Sequence, residues 1–181
     1  MRRESVPPVR ATSRKFSGQQ YPLAMSLHTY TSHLRWTGNR GSGTLDYRAY
    51  GREHELGTAD KVVRIPGTSD PKFRGDAARY NPEELLVHSL SACHMLWYLH
   101  LCAVNGVIVI DYHDEAEGRM EEEPGGAGQF VEVTLRPTVT VAREEMQKKA
   151  RELHAAAHQH CFIARSVNFP VRCKPAVVVG T

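Results

Sequence analysis

One long apolar segment constrains the fold of this chain more than any other feature: residues 81–106, NPEELLVHSLSACHMLWYLHLCAVNG. Asn81 can cap a helix, and Pro82 suits the first helical position. Gly106 favours the end of the helix. The segment therefore predicts a helix of roughly 24 residues, about 36 Å long. Because this helix is apolar on nearly all sides, we expect it to run through the middle of the fold.

Composition and charge exclude several classes of protein. With 41% hydrophobic and 24% charged residues, the chain has the composition of a soluble globular protein. The net charge is +3, of which residues 1–24 contribute +4, so that residues 25–181 carry −1 and offer no basic surface for nucleic acid. Histidines and serines interrupt the apolar segment, which predicts that no helix spans a membrane. The first residues lack the apolar block of a secretory signal, so we expect a cytoplasmic protein.

The chain divides into two parts by composition. Residues 1–24 are rich in proline, serine and arginine and contain little to bury, which predicts a disordered basic extension. Residues 25–181 have the length and composition of a single domain with a sizeable core.

Alternating apolar and polar residues predict β-strands on both sides of the long helix. The clearest strand is QFVEVTLRPTVTV, residues 129–141, in which valine or leucine recurs at nearly every second position. A second helix is predicted over residues 142–161. Further strands are predicted at residues 30–36, 45–49, 61–66, 106–120 and 168–179. Because the strands occur in runs around two helices, the fold class is α+β with a largely antiparallel sheet.

Two of the four cysteines lie where chemistry is plausible. No CxxC pair exists, and a reducing cytoplasm disfavours structural disulfides. Cys93 lies midway along the first helix, and Cys161 lies at the end of the second helix on its core-facing stripe. Two helices that pack on one sheet can bring them together. A buried free cysteine is commonly a small hydrophobic residue, whereas a redox thiolate needs a cation nearby, for which the candidates are Arg40, Lys72 and Arg74.

Histidines suggest a rival chemistry. His94 follows Cys93 directly and points about 100° away on the helix, so we expect it to hydrogen-bond a strand or a loop. His154 and His158 are four residues apart and could share a metal ion. His160 and Cys161 lie close to these two histidines on the same predicted helix. No fourth ligand is fixed by spacing, so we expect no metal, and we interpret Cys102 and Cys173 as core or strand filler.

Three motifs resemble a known family. The segments DPKFRGD, NPEELLVHSLSACHM and AHQHC resemble, in order and spacing, the OsmC/Ohr family of organic hydroperoxide reductases, and the OsmC branch more than the Ohr branch. The resemblance covers residues 27–175. It implies the OsmC-like fold, in which an antiparallel sheet packs around two central helices, and an intertwined homodimer. It also implies a peroxidatic cysteine at Cys93, a resolving cysteine at Cys161 and no cofactor.

The same resemblance implies an activity. Family members reduce organic peroxides, and more weakly hydrogen peroxide, to alcohols with the help of an external dithiol such as a dihydrolipoyl protein. Glu83 matches the family's glutamate, which holds a catalytic arginine against the thiolate. OsmC-type members draw that arginine from the segment before the helix, which favours Arg74. Ohr-type members draw it from the first strand region, which leaves Arg40 as the alternative.

Helix geometry predicts how these residues are shared. Glu83 and Cys93 are ten residues apart on one helix, hence about 15 Å along its axis, so Glu83 should serve the Cys93 of another subunit. The chain departs from the family at Cys161-Phe162, where many members have Cys-Pro. The alternative function is that of a non-catalytic, stress-associated or small apolar-ligand-binding dimer whose thiols do no chemistry.

Overall fold

The computed structural model describes residues 27–180, and the predicted basic extension, residues 1–24, lies outside them. The elements below all belong to the unit that begins at Ser32. The helices are α1, Pro82–Val104, and α2, Gln147–His160. The strands are β1 His33–Trp36, β2 His54–Gly57, β3 Ile65–Gly67, β4 Val109–Asp114, β5 Glu117–Glu122, β6 Gly128–Leu135, β7 Pro137–Val141, β8 Val171–Cys173 and β9 Ala176–Val179.

The nine strands form three three-stranded sheets, with the orders β1-β2-β3, β4-β7-β9 and β5-β6-β8. Four of the strand pairs are antiparallel. The β6–β8 and β7–β9 pairs are parallel, and α2 lies in the crossover that parallel pairing requires. The prediction of an α+β fold with largely antiparallel pairing is confirmed.

Helix α1 begins and ends where its sequence predicts. The Asn81 side chain accepts from the Glu84 N–H, and the Glu84 carboxylate accepts from the Asn81 N–H, which forms a capping box. At the other end Gly106 adopts a left-handed φ of +72°, a conformation that glycine adopts without steric cost. The buried residues of α1 recur every four positions and so form one stripe: Leu90, His94, Tyr98 and Cys102.

The sequence predicted that histidines and serines make α1 too polar to span a membrane. By length and composition alone, that prediction is wrong. The helix is long and apolar enough to cross a membrane by those two measures alone, but the core helix of a soluble protein passes the same test, so the evidence is weak. In the single chain only 22% of its most apolar window is buried. Most residues of that window are therefore partly or fully exposed in the single chain, and Leu96 and Val104 of α1 are largely exposed.

Helix α2 packs beside α1 through the stripe predicted for it. The stripe consists of Met146, Ala150, Leu153, Ala157 and Cys161, each at most 6% exposed. All of the stripe except Cys161 joins Tyr98 and Cys102 of α1 and Val139 and Val141 of β7 in the larger of two core clusters. The smaller cluster contains Leu90 of α1 with Val133 and Leu135 of β6. The two helices therefore share one apolar core with the inner faces of the central strands.

Two groups of predicted strands differ from the structure. Residues 45–49 form turns rather than a strand, because the Asn39 side chain accepts from the N–H groups of Gly41 and Gly43 and starts an irregular loop. Strand β2 pairs with β1 instead. The long strands predicted at 106–120, 129–141 and 168–179 each divide into two. Between β6 and β7 the Arg136 N–H donates to the side-chain carboxylate of Asp114 at 2.7 Å instead of to a backbone carbonyl.

Candidate active site

The structure brings Cys93 and Cys161 together. Cys93 lies midway along α1 and is half-buried, and Cys161 is the residue at which α2 ends. Both are free thiols, and the two side chains lie close enough to interact electrostatically. The predicted proximity of these two cysteines therefore holds within one chain. Thiols this close can exchange a proton or form a disulfide.

Cys161 is the buried member of the pair. Its side chain is 1% exposed, and its sulfur accepts a hydrogen bond from the Ala164 N–H at 3.4 Å. Burial, with a smaller contribution from the adjacent Cys93 thiol, raises the pKa of the Cys161 thiol to about 11. Cys161 is therefore a protonated thiol at neutral pH, held ready beside the more accessible sulfur of Cys93.

Three aromatic rings that contact one another belong to near neighbours of the two cysteines in the sequence. Trp97 follows Cys93 by one helical turn and so shares its face of α1. The Trp97 ring stacks on His160 with centroids 5.0 Å apart and meets the edge of Phe162 at 5.6 Å. Phe162 is 64% exposed. The residues next to both cysteines thus form a partly open aromatic wall, which suits an apolar molecule better than a small polar one.

The candidate charged residues lie around the start of α1. Glu83 is half-buried and borders a cleft together with Asp70, Lys72 and Phe73 of the preceding loop. Arg74 follows in that loop with a φ of +69°, the one positive φ of a non-glycine residue in the described part of the chain. A left-handed residue of this kind costs about 1 kcal/mol or more and is common at functional sites.

Arg40 has a different partner. It is exposed in the turn after β1, and its guanidinium lies 3.8 Å from the carboxylate of Glu53. The ion pair is formed within the β1–β3 region and does not involve Glu83. Arg74 directly follows Phe73 of the cleft that Glu83 borders, whereas Arg40 is paired with Glu53. Arg74 therefore stays the preferred candidate.

A second polar cluster lies beneath the thiol pair. The nearest partner of His94 is on α2, because its Nε2 atom lies 3.1 Å from Nδ1 of His154, and the predicted contact with a strand is made to Cys173 of β8. Burial lowers the pKa of His94 to about 4 and that of His154 to about 3. Both rings are therefore neutral at pH 7.

The third member of this cluster is Cys173, which the sequence suggested was filler. Its sulfur lies 3.6 Å from His94 Nε2 and 3.9 Å from His154 Nδ1. The predicted companions His158, His160 and Cys161 are not part of this group, whose donor atoms lie within 4.8 Å of one another. The sequence did contain a signal for this cluster, because His94 and His154 both fall on the buried stripes of their helices.

Comparison with known proteins identifies the family. A sequence model of OsmC-like proteins matches residues 75–175, more than half of the chain. The chain belongs to the OsmC-like family. The matched region of this OsmC-like protein includes Glu83, Cys93 and Cys161, whereas Arg40 and Arg74 precede it. A comparison with curated protein sequences found no match.

Solved structures confirm the OsmC-like fold. An OsmC-like protein of unknown function from Vibrio cholerae is 26% identical, covers 82% of this chain and 99% of its own, and superposes with a TM-score of 0.74. An organic hydroperoxide resistance protein OsmC from Legionella pneumophila is 20% identical, with coverage of 84% and 98% and a TM-score of 0.60. An organic hydroperoxide resistance protein from Elizabethkingia anophelis is 18% identical, with coverage of 84% and 99% and a TM-score of 0.59.

We predict that Cys161 titrates as a buried thiol. Its rate of alkylation by iodoacetamide, followed by peptide mass mapping, should rise about tenfold per pH unit up to about pH 10, because only the thiolate reacts and burial holds the pKa near 11. The same peptide in guanidinium chloride serves as the control, and its rate should level off near the ordinary cysteine pKa of about 8.5. A plateau at that same pH in the folded protein would contradict the prediction.

Proposed function

We propose that this OsmC-like protein is a cysteine-based reductase of organic hydroperoxides that acts through Cys93 and Cys161. The observation that carries the proposal is the proximity of the two interacting thiols, one half-buried and one fully buried. The Legionella and Elizabethkingia proteins, which share the fold, are named organic hydroperoxide resistance proteins. The proposal gives this chain the same class of substrate.

In the proposed reaction the Cys93 thiolate attacks the outer oxygen of a hydroperoxide. The O–O bond breaks, a sulfenic acid forms on Cys93, and the leaving alkoxide takes a proton to become an alcohol. The Cys161 sulfur then attacks the sulfenic sulfur, which forms a disulfide and releases water. An external dithiol reduces the disulfide and becomes oxidised itself. One hydroperoxide and one dithiol thus give one alcohol, one water and one disulfide of the donor.

The position of Cys161 supports a resolving role despite the Cys-Phe sequence. Helix α2 ends at Cys161, and a one-turn 3-10 helix, Ala164–Ser166, follows it. The sulfur is held toward the pair by the Ala164 N–H. The backbone therefore turns away directly after the cysteine without a proline, and Phe162 is left to extend the aromatic wall beside Trp97. This wall favours alkyl and aryl hydroperoxides over hydrogen peroxide.

The proposal includes a homodimer. Large apolar side chains are exposed on α1 and on the β1–β3 sheet of the single chain, including Leu96, Val104, Leu34 and Ile65. A soluble protein rarely leaves so much apolar surface open unless another protein covers it. A second copy whose α1 packs against this one would cover that surface and would bring the partner's α1 start toward the thiol pair. A dithiol donor and a cytoplasmic location complete the proposal.

We predict that an organic hydroperoxide links the two cysteines. One equivalent of cumene hydroperoxide should produce a Cys93–Cys161 disulfide, detected by peptide mass mapping with free thiols blocked, and faster than hydrogen peroxide does. Cys93→Ser should reduce turnover to the background rate, because it removes the nucleophile. Cys161→Ser should still form a sulfenic acid at Cys93, trapped by dimedone, but no intramolecular disulfide.

Cys102→Ala is the matched control for this experiment, because Cys102 is buried on another face of α1 and should leave turnover unchanged. Cys93 that stays a free thiol under both oxidants would overturn the proposal. The alternative of a non-catalytic dimer that binds an apolar ligand would then take its place.

We predict that Arg74, and not Arg40, supports the thiolate. Arg74→Lys should lower kcat/KM for cumene hydroperoxide by about 100- to 1,000-fold, since a lysine lacks the forked donors that stabilise a developing oxyanion. Arg40→Lys should leave it unchanged, because Arg40 pairs with Glu53. Steady-state kinetics of both variants check this. The reverse pattern would assign the role to Arg40.

We predict that Glu83 acts on the Cys93 of the other subunit. The Glu83→Gln chain and the Cys93→Ser chain, each inactive alone, are co-expressed in equal amounts with different affinity tags. About half of the dimers are then mixed, and each mixed dimer holds one complete site of two. The mixture should therefore recover about a quarter of wild-type activity. Purification through both tags in succession isolates the mixed dimer. Mixed dimers without activity would show that Glu83 and Cys93 serve one site within a chain.

A further inference from the structure

The cluster of His94, His154 and Cys173 lies apart from the thiol pair and has no part in the proposed reaction. Its three members come from α1, α2 and β8, three elements that meet in the core. His94 is fully buried and His154 is 3% exposed, whereas Cys173 is half-buried and forms the side of the cluster nearest to solvent. We propose that these three side chains bind a divalent transition-metal ion of the zinc class.

The separations of the donor atoms fit such an ion. In a tetrahedral zinc site, metal–nitrogen bonds of about 2.05 Å and a metal–sulfur bond of about 2.3 Å place two nitrogens about 3.3 Å apart and a nitrogen and a sulfur about 3.6 Å apart. The cluster has a nitrogen–nitrogen distance of 3.1 Å and nitrogen–sulfur distances of 3.6 and 3.9 Å. Shifts of about 0.3 Å in these distances, together with a rotation of the imidazole rings that turns their facing lone pairs toward the ion, would complete the geometry and leave a fourth position for another ligand.

The rings are already oriented toward each other. The two imidazoles are coplanar within 5°, with centroids 5.4 Å apart. In the metal-free protein one of the facing nitrogens therefore donates its N–H to the other. A metal ion would replace that hydrogen bond. The histidine that donates in this hydrogen bond would move its proton from the facing nitrogen to its outer nitrogen, so that both facing nitrogens are free to bind the ion. Cys173 would release its thiol proton to solvent. The site would thus take up a dication and lose one proton.

Burial of both histidines argues against a purely structural role. The outer nitrogens, His94 Nδ1 and His154 Nε2, have no hydrogen-bond partner among the described residues. An unpaired buried polar group costs about 1–3 kcal/mol. Apolar residues would fill the same space without that cost, so packing alone does not explain the pair.

Charges of both signs act on the cluster, because His158 disfavours a positive charge on His94 more strongly than Asp114 favours one. The Asp114 carboxylate interacts electrostatically with both His94 and Cys173. It is held in place by Ser91, whose hydroxyl donates at 2.6 Å, and by the Arg136 N–H at 2.7 Å. Two nitrogens and one sulfur select zinc, cobalt or copper over magnesium or calcium, which prefer oxygen.

The test uses cobalt(II), which reports its own ligands by absorption. Full-length protein is stripped with a chelator, reduced with a phosphine and titrated with cobalt(II) without oxygen. We expect one ion per chain, with a sulfur-to-cobalt charge-transfer band in the near ultraviolet and intense visible bands of a tetrahedral ion. Cys173→Ala should lose the charge-transfer band. The Cys93→Ser/Cys161→Ser double variant should keep it, which separates this site from the thiol pair.

A second measurement needs no substitution. One equivalent of zinc added to the wild-type protein should protect Cys173, and not Cys102, from alkylation in peptide mass mapping. It should also raise the unfolding temperature, because the ion binds only the folded chain. The proposal is overturned if cobalt(II) gives no charge-transfer band, if the band persists in Cys173→Ala, or if zinc leaves the alkylation of Cys173 unchanged. None of these readouts depends on peroxide turnover.

Discussion

The packing of α1 against α2 is the interaction on which the rest of this structure depends. The buried stripe through Leu90, His94, Tyr98 and Cys102 fixes the rotation of α1 about its own axis. Cys93 precedes His94 and therefore lies about 100° away from the centre of the buried face. It is half-buried there, at the margin where α2 ends at Cys161. The core that stabilises the two helices thus also decides which of these two cysteines is the more accessible.

Burial gives the four cysteines different chemistry. It raises the thiol pKa of Cys102, of Cys161 to about 11 and of Cys173 to about 12, because a thiolate loses its hydration in the core. These three therefore remain protonated and unreactive at neutral pH unless a partner removes the proton. A sulfenic acid can serve as that partner for Cys161, because the leaving hydroxide takes up the proton. A metal ion can serve as that partner for Cys173.

The sequence predicted the features that depend on neighbours along the chain. Asn81 and Gly106 defined α1, and the steps of four and three residues that lead to Cys161 placed it on the buried face of α2. It did not predict features that depend on single side chains bonding distant backbone. Asn39 replaces a strand with turns, and Asp114 interrupts the strand at Arg136. The meeting of His94 with Cys173, 79 residues away, likewise results from the topology, which no local pattern contains.

The two polar clusters connect the same pair of helices, and this limits how the disulfide can form. Cys93 adjoins His94 on α1, and Cys161 follows His154 by seven residues on α2. A disulfide requires its sulfurs to approach to about 2.05 Å, so one cysteine must move. The coplanar His94–His154 pair, buried beneath, opposes a shift of either helix. The movement must therefore come from the segment after α2, where Cys161 has already left helical geometry, with a ψ of 109°. Phe162 and the aromatic wall would move with it, so oxidation would be felt where the substrate binds.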